Sequence, residues 1–216
     1  MNEIMQQLGA IGIVPVVVLE NPRDALPLAE ALVEGGLPCA EVTFRTAAAQ
    51  ESIRLMAERF PELLVGAGTV LTCDQADRAI DAGAKFIVSP GFNPKVTRFV
   101  LDAGVPMCPG ICTPTEIEGA LELGLDLVKF FPAEPSGGLA MIKALAAPYV
   151  GLKFMPTGGI GPKNVRDYLA YDRILACGGS WMVKGDLIRE GNFGEVRRLV
   201  QEAAAIVREV RTGSAG

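Results

Sequence analysis

Apolar and polar positions along the chain follow two alternating periods. Short runs rich in Val, Ile, Leu and Phe give way to longer stretches in which apolar residues recur every three or four positions,. Gly, Pro, Thr or Asn marks each join, the punctuation expected where strands alternate with helices. The strand candidates are residues 13–19, 40–44, 63–69, 85–89, 106–109, 125–131, 152–157 and 173–178. The first helix candidate opens at Pro22, carries Ala25, Leu28, Ala29, Leu32 and Val33 as its apolar stripe, and stops at Gly35 and Gly36,. The remaining helix candidates are residues 47–59, 74–82, 94–103, 115–123, 139–146, 162–169 and 193–211.

Eight strand-helix units of about 27 residues each are compact but sufficient for a (β/α)8 TIM barrel. The competing architecture, a doubly wound open sheet, usually has fewer strands. No Gly/Ser linker or run of charge divides the chain, so residues 1–211 are expected to form one barrel domain and residues 212–216 a disordered tail.

Composition narrows the chemistry. The chain has 216 residues, half of them apolar, with 20 basic against 25 acidic side chains and a net charge of −5. That balance offers no attraction to phosphate backbones or anionic membranes, which argues against nucleic acid and lipid partners. There is no histidine, which removes Ser-His-Asp and Cys-His nucleophile systems and the HExxH metal site. The cysteines Cys39, Cys73, Cys108, Cys112 and Cys177 form an odd set without a CxxC pair, and read as reduced residues of a cytoplasmic protein. No Lys or Arg precedes Arg23, and an apolar run such as residues 11–19 is about half of a membrane span,. Neither a signal peptide nor a membrane anchor is expected.

In a barrel, chemistry sits where strands end and the following loops begin. In the segment Glu41-Val42-Thr43-Phe44-Arg45, strand alternation sets Glu41, Thr43 and Arg45 on one face and Val42 and Phe44 on the other. Either an acid and a guanidinium point into the barrel mouth, or the strand is half exposed with a solvated polar face. Lys129 stands about five residues into its strand, in Leu-Val-Lys-Phe-Phe-Pro. An ammonium placed there loses hydration, which favours the neutral, nucleophilic amine. The alternative is a lysine that snorkels to water, and Lys85 and Lys153, near the starts of their strands, compete for the role. Two glycine clusters, Gly158-Gly159-Ile160-Gly161 and Gly178-Gly179-Ser180, follow the last two strands, where barrels commonly hold phosphate. Gly66-Ala67-Gly68-Thr69 matches a dinucleotide fingerprint only superficially, because Leu71 stands where the third glycine belongs,.

Taken in order, EVTFRT (41–46), GAGTVL (66–71), SPG (89–91), PGI (109–111), KFFPAE (129–134), PTGGI (156–160) and GGSW (178–181) resemble the 2-dehydro-3-deoxy-6-phosphogluconate (KDPG) and 4-hydroxy-2-oxoglutarate (KHG) aldolase family. The resemblance covers nearly the whole chain. It implies a class I aldolase that needs no metal or cofactor, with Lys129 forming the Schiff base and Glu41 acting as general acid and base. It further implies that Arg45, Thr69 and Pro90 bind the carboxylate of a 2-oxo acid, that Phe131 lines the pocket, and that Gly158, Gly159, Gly179 and Ser180 bind phosphate. A homotrimer is implied as well. Pro135-Ser136 and Lys184 depart from the family's usual residues. An isomerase or decarboxylase on the same barrel, or a phosphosugar-binding protein in which Lys129 and Glu41 form a structural ion pair, are the alternatives.

Overall fold

A computed structural model describes residues 2–213. The chain opens with α1 (Glu3–Ile11), β1 (Ile13–Val17), a 3-10 turn at Pro22–Asp24, α2 (Ala25–Gly35), β2 (Cys39–Thr43) and α3 (Ala49–Arg59). It continues through β3 (Leu64–Gly68), α4 (Cys73–Asp81), β4 (Ile87–Val88), α5 (Pro94–Asp102), β5 (Met107–Cys108), β6 (Gly110–Ile111), α6 (Pro114–Glu122) and β7 (Leu127–Phe130). A 3-10 turn at Glu134–Ser136 leads to α7 (Gly138–Ala146), β8 (Lys153–Pro156), α8 (Val165–Leu169), β9 (Cys177–Gly179), α9 (Gly185–Arg189) and α10 (Phe193–Gly213). Helices α4, α5 and α6 start where the sequence supplies a side-chain cap. Thr72 accepts from the Gln75 N–H, Asn93 from those of Lys95 and Val96, and the Glu116 carboxylate from those of Cys112 and Thr113,.

Every strand pairing is parallel. One sheet runs β5-β4-β3-β2-β1-β9 and a second runs β6-β7-β8. Isolated parallel bridges join Phe154 to Ile174 and Thr157 to Gly178. Two apolar clusters flank the strands. The larger packs strand residues such as Val42, Val65 and Val128 against helix residues such as Leu28, Ile53 and Ile142. The smaller gathers Val14, Cys39, Leu64, Phe86, Val88, Cys108, Leu127, Met155 and Ala176 from the other strand faces, with Met5 and Leu8 of α1 among them. Such a two-faced strand arrangement explains the near-continuous apolar runs, since both faces are covered. The Arg211 guanidinium of α10 donates to the carbonyls of Gly9 and Leu175, fastening the last helix to α1.

Several elements differ from expectation, each for a local reason. The strand placed at 106–109 is found only at Met107–Cys108, and a second segment, Gly110–Ile111, follows beyond Pro109, which has no N–H to give a ladder,. The first pairs with β4 and the second with β7. The strand placed at 173–178 begins only at Cys177, because the Ile174 N–H closes a turn onto the Tyr171 carbonyl. Lys85 precedes β4 and is exposed. Two helices escaped the periodicity: α1 is nine residues long, and α9 has five and opens on glycine. Thr212 and Gly213, placed in a tail, belong instead to α10, where the Thr212 hydroxyl donates to the Arg208 carbonyl. Residues 214–216 lie outside the described residues.

Candidate active site

The strand faces that supply the smaller apolar cluster change character toward their C-terminal ends. Cys39 is followed two residues later by Glu41, Leu127 by Lys129, Met155 by Thr157 and Ala176 by Gly178. Each step of two keeps the same face, so an apolar layer is capped by a polar one. Glu41 and Lys129 come from different sheets and lie 88 residues apart, yet Lys129 Nζ donates to Glu41 Oε1 at 3.1 Å. Glu41 is fully buried and Lys129 is 5% exposed. The solvated polar face considered for 41–45 therefore does not occur at Glu41. Thr43 is also buried, its hydroxyl donating to the Val17 carbonyl at 2.9 Å.

Close backbone approach makes room for the acid. A Cβ on Gly68 would stand 2.2 Å from Glu41 Oε1, and one on Gly66 would stand 2.4 Å from the Phe86 ring. The glycines that mimic a nucleotide fingerprint are thus spacers for two inward side chains. Burial pushes the Cys39 thiol well above its usual range, aided by Glu41. Burial likewise raises the Cys108 thiol, opposed by Lys129 and aided by Glu41. These raised thiols stay neutral, while Glu41 Oε2 is buried without a hydrogen-bond partner among the described residues.

Around this pair the other sequence candidates take up separate stations. The Phe131 ring centroid lies 5.4 Å from Lys129 Nζ, within cation-π reach. Exposed Arg45, past the end of β2, donates through Nε to the Thr69 hydroxyl at 3.3 Å. Thr69 itself follows β3 at φ +55°, a strained value for a β-branched residue. Pro90 lies past β4, and its carbonyl would be 2.1 Å from a Cβ on Gly110, the residue in register with Lys129. Of the competing lysines, Lys153 Nζ bonds the Asp172 carbonyl at 2.6 Å. Lys85 borders a surface cleft of about 410 Å³ shared with Phe60, Pro61 and Asp81, at the opposite ends of the strands.

The two glycine loops are neighbours, because Thr157, just before the first, is bridged to Gly178, the opening residue of the second. Gly158 and Gly159 adopt φ of +103° and +79°, values that a side chain would strain. Gly179 is buried against the Trp181 ring, and Ser180 is exposed.

The family model for KDPG and KHG aldolases matches residues 4–199. The chain belongs to that family. It is 52% identical over 207 residues to the 2-dehydro-3-deoxy-phosphogluconate aldolase of Treponema pallidum, covering 96% of this chain and 99% of the relative. Among solved structures it is similar to the KDPG aldolase of Legionella pneumophila, in which pyruvate is captured at low pH as a covalent carbinolamine intermediate. There the TM-score is 0.87 and the identity 38%, over 91% of this chain and 97% of the other. The enzyme of Zymomonas mobilis ZM4 with 3-phosphoglycerate matches with a TM-score of 0.87 and 39% identity, over 95% and 97% of the two chains.

Within this aldolase fold, sequence reasoning passed over Thr157, whose buried hydroxyl has no partner among the described residues and lies where a Cβ on Gly178 would be 2.2 Å away. Its signal was available, since Thr157 stands two residues beyond Met155 on an inward face. Asn164, Glu134 and Tyr168 were also passed over. Nothing in their spacing announces that they meet at the Gly158–Gly159 loop.

Proposed function

We propose that this aldolase is a class I, Schiff-base enzyme that cleaves 2-dehydro-3-deoxy-6-phosphogluconate to pyruvate and glyceraldehyde 3-phosphate, and 4-hydroxy-2-oxoglutarate to pyruvate and glyoxylate. The observation that carries the reading is the Lys129–Glu41 contact: an amine 5% exposed and a fully buried carboxylate, 3.1 Å apart, at the strand ends of a member of this family.

Once its proton has passed to Glu41 or water, the Lys129 amine attacks the C2 carbonyl of the 2-oxo acid to give a carbinolamine, and return of that proton to the carbinolamine hydroxyl lets it leave as water, so that an iminium remains. Glu41, directly or through one water, takes the proton from the C4 hydroxyl. The C3–C4 bond breaks, its electron pair passes into the iminium, and the aldehyde departs from an enamine. Protonation at C3 by Glu41 restores the iminium, and hydrolysis frees pyruvate and the amine. The iminium is the electron sink, so the steps call for no metal or cofactor. Arg45, with Thr69 and Pro90 beside it, holds the C1 carboxylate through a charge-assisted contact, and Phe131 walls the pocket. Backbone donors near Gly158, Gly159 and Gly179, together with Ser180, hold the distal phosphate. Holding both ends of the substrate positions the scissile bond.

The finer architecture is part of the same reading. β5 and β6 are consecutive across Pro109, and the bridges at Ile174 and Gly178 link β8 to the β9 region, which supports joining the two sheets into one eight-stranded barrel over residues 1–211. A homotrimer and a cytoplasmic location complete it, the latter supported by five free cysteines. No helix among the described residues is long and apolar enough to cross a membrane. The test is a lactate dehydrogenase-coupled assay of the purified protein with KDPG in EDTA. Release of pyruvate is expected, and absence of cleavage, or its loss to the chelator, overturns the reading.

A further inference from the structure

The Gly158–Gly159 loop is held by side chains that stand outside the assigned site. Asn164 Nδ2 donates to the Gly159 carbonyl at 3.1 Å, and Asn164 Oδ1 accepts from the Gly161 N–H at 2.9 Å. The Gly158 carbonyl accepts from the Glu134 N–H at 3.0 Å. Glu134 also packs directly on the loop, since a Cβ on Gly159 would lie 2.6 Å from its Cβ. The Glu134 carboxylate in turn accepts from the Tyr168 hydroxyl. Tyr168 is 2% exposed, and its backbone N–H bonds the Asn164 carbonyl one turn earlier. Asn164, just before α8, and Tyr168, one turn further on, are thus carried by the same short helix.

In a trans peptide the C=O and the following N–H point in opposite directions. Fixing the Gly158 carbonyl on Glu134 therefore aims the Gly159 N–H away from it, and fixing the Gly159 carbonyl on Asn164 aims the Ile160 N–H likewise. Neither N–H has an acceptor among the described residues. Two consecutive peptide planes are thus locked with their donors unspent, the arrangement by which successive backbone amides hold an anion.

We propose that Asn164 and, through Glu134, Tyr168 are positioning residues that aim the Gly159 and Ile160 amides at the substrate's phosphate. The inference rests on the assignment of phosphate to this loop. Without Asn164 the 159–160 peptide is free to rotate about ψ of Gly159 and φ of Ile160, and the Ile160 donor loses its fixed direction. A substrate lacking the phosphate does not use them, so the effect is selective, which a merely structural role would not produce.

The experiment compares kcat/KM for KDPG and for unphosphorylated 4-hydroxy-2-oxoglutarate across three variants. Asn164→Ala is expected to lose at least tenfold on KDPG and less than threefold on 4-hydroxy-2-oxoglutarate. Tyr168→Phe, which removes only a hydroxyl, is expected to lose at least threefold on KDPG with the same selectivity, and stands in should Asn164→Ala not fold. Ser180→Asp sets a carboxylate against the phosphate and tests the underlying assignment; it should be selective by at least tenfold. If Ser180→Asp is selective while the Asn164 and Tyr168 variants strike both substrates equally, or neither, the positioning role is overturned and the phosphate site stands. If Ser180→Asp itself strikes both equally, the phosphate assignment fails, and the inference with it.

Discussion

Gly68 offers a perturbation whose size can be worked out beforehand. In Gly68→Ala the new Cβ would stand 2.2 Å from Glu41 Oε1, 2.7 Å from its Cγ and 2.8 Å from its Cδ. Real Cβ atoms essentially never approach closer than 3.0 Å, so the carboxylate must retreat by at least about 0.8 Å,. That movement is set against a Lys129–Glu41 separation of 3.1 Å. A misplacement of about 1 Å costs on the order of 10²-fold in rate, whereas overpacking costs about 1–3 kcal/mol of stability. For a chain of this length that is a Tm lower by roughly 2–12 °C, so the variant should fold and yet be about a hundredfold slower in kcat/KM. Gly66→Ala is the matched control. Its Cβ would meet the Phe86 ring at 2.4 Å, overpacking the same strand one inward step below, with its nearest contacts on that ring instead of on the acid. Coupled kinetics and thermal melts on both variants check this, with Gly66→Ala expected to show a similar loss of Tm but less than tenfold loss of activity. Equal activity losses in the two, or a Gly68→Ala enzyme within threefold of wild type, would refute the claim that Gly68 exists to seat the acid.

Glu41→Gln should still be trapped by borohydride with pyruvate while kcat falls by roughly 10²- to 10⁴-fold; activity within twofold of wild type would remove Glu41 from proton transfer. Arg211→Met should leave kcat unchanged but lower Tm by several degrees, because bonds from a charged donor to carbonyls, each worth roughly 1.5–3 kcal/mol, are lost at Gly9 and Leu175,. An unaltered melt would show that α10 is not what holds α1 in place.

The strand-helix alternation was readable because each strand is covered on both faces and each helix on one, so the two periods differ along the chain. Glu41 and Lys129 were legible separately, as polar residues deep in apolar strands near their C-terminal ends. Their contact was not, because nothing local relates two residues 88 positions apart; the motif resemblance made the link. The break at Pro109 lay hidden in a run that looks like one strand, since a proline without an N–H matters only once neighbours on both sides are known. Arg45 was grouped with Glu41 by alternation, but it stands beyond the last residue of β2, exposed, and meets Thr69 instead of the buried pair. Asn164 reads in sequence as an ordinary residue near a helix start; its contact with the Gly159 carbonyl is local, five residues away, but depends on the positive φ of the two glycines, which spacing alone does not announce.

The covalent bond to substrate is assigned to Lys129. Borohydride reduction of the protein with pyruvate, followed by peptide mapping, measures this directly. A single reduced pyruvyl adduct is expected on Lys129, with Lys85 exposed before β4 and Lys153 engaged with the Asp172 carbonyl both unmodified. An adduct on Lys85 or Lys153, or no adduct at all, would contradict it.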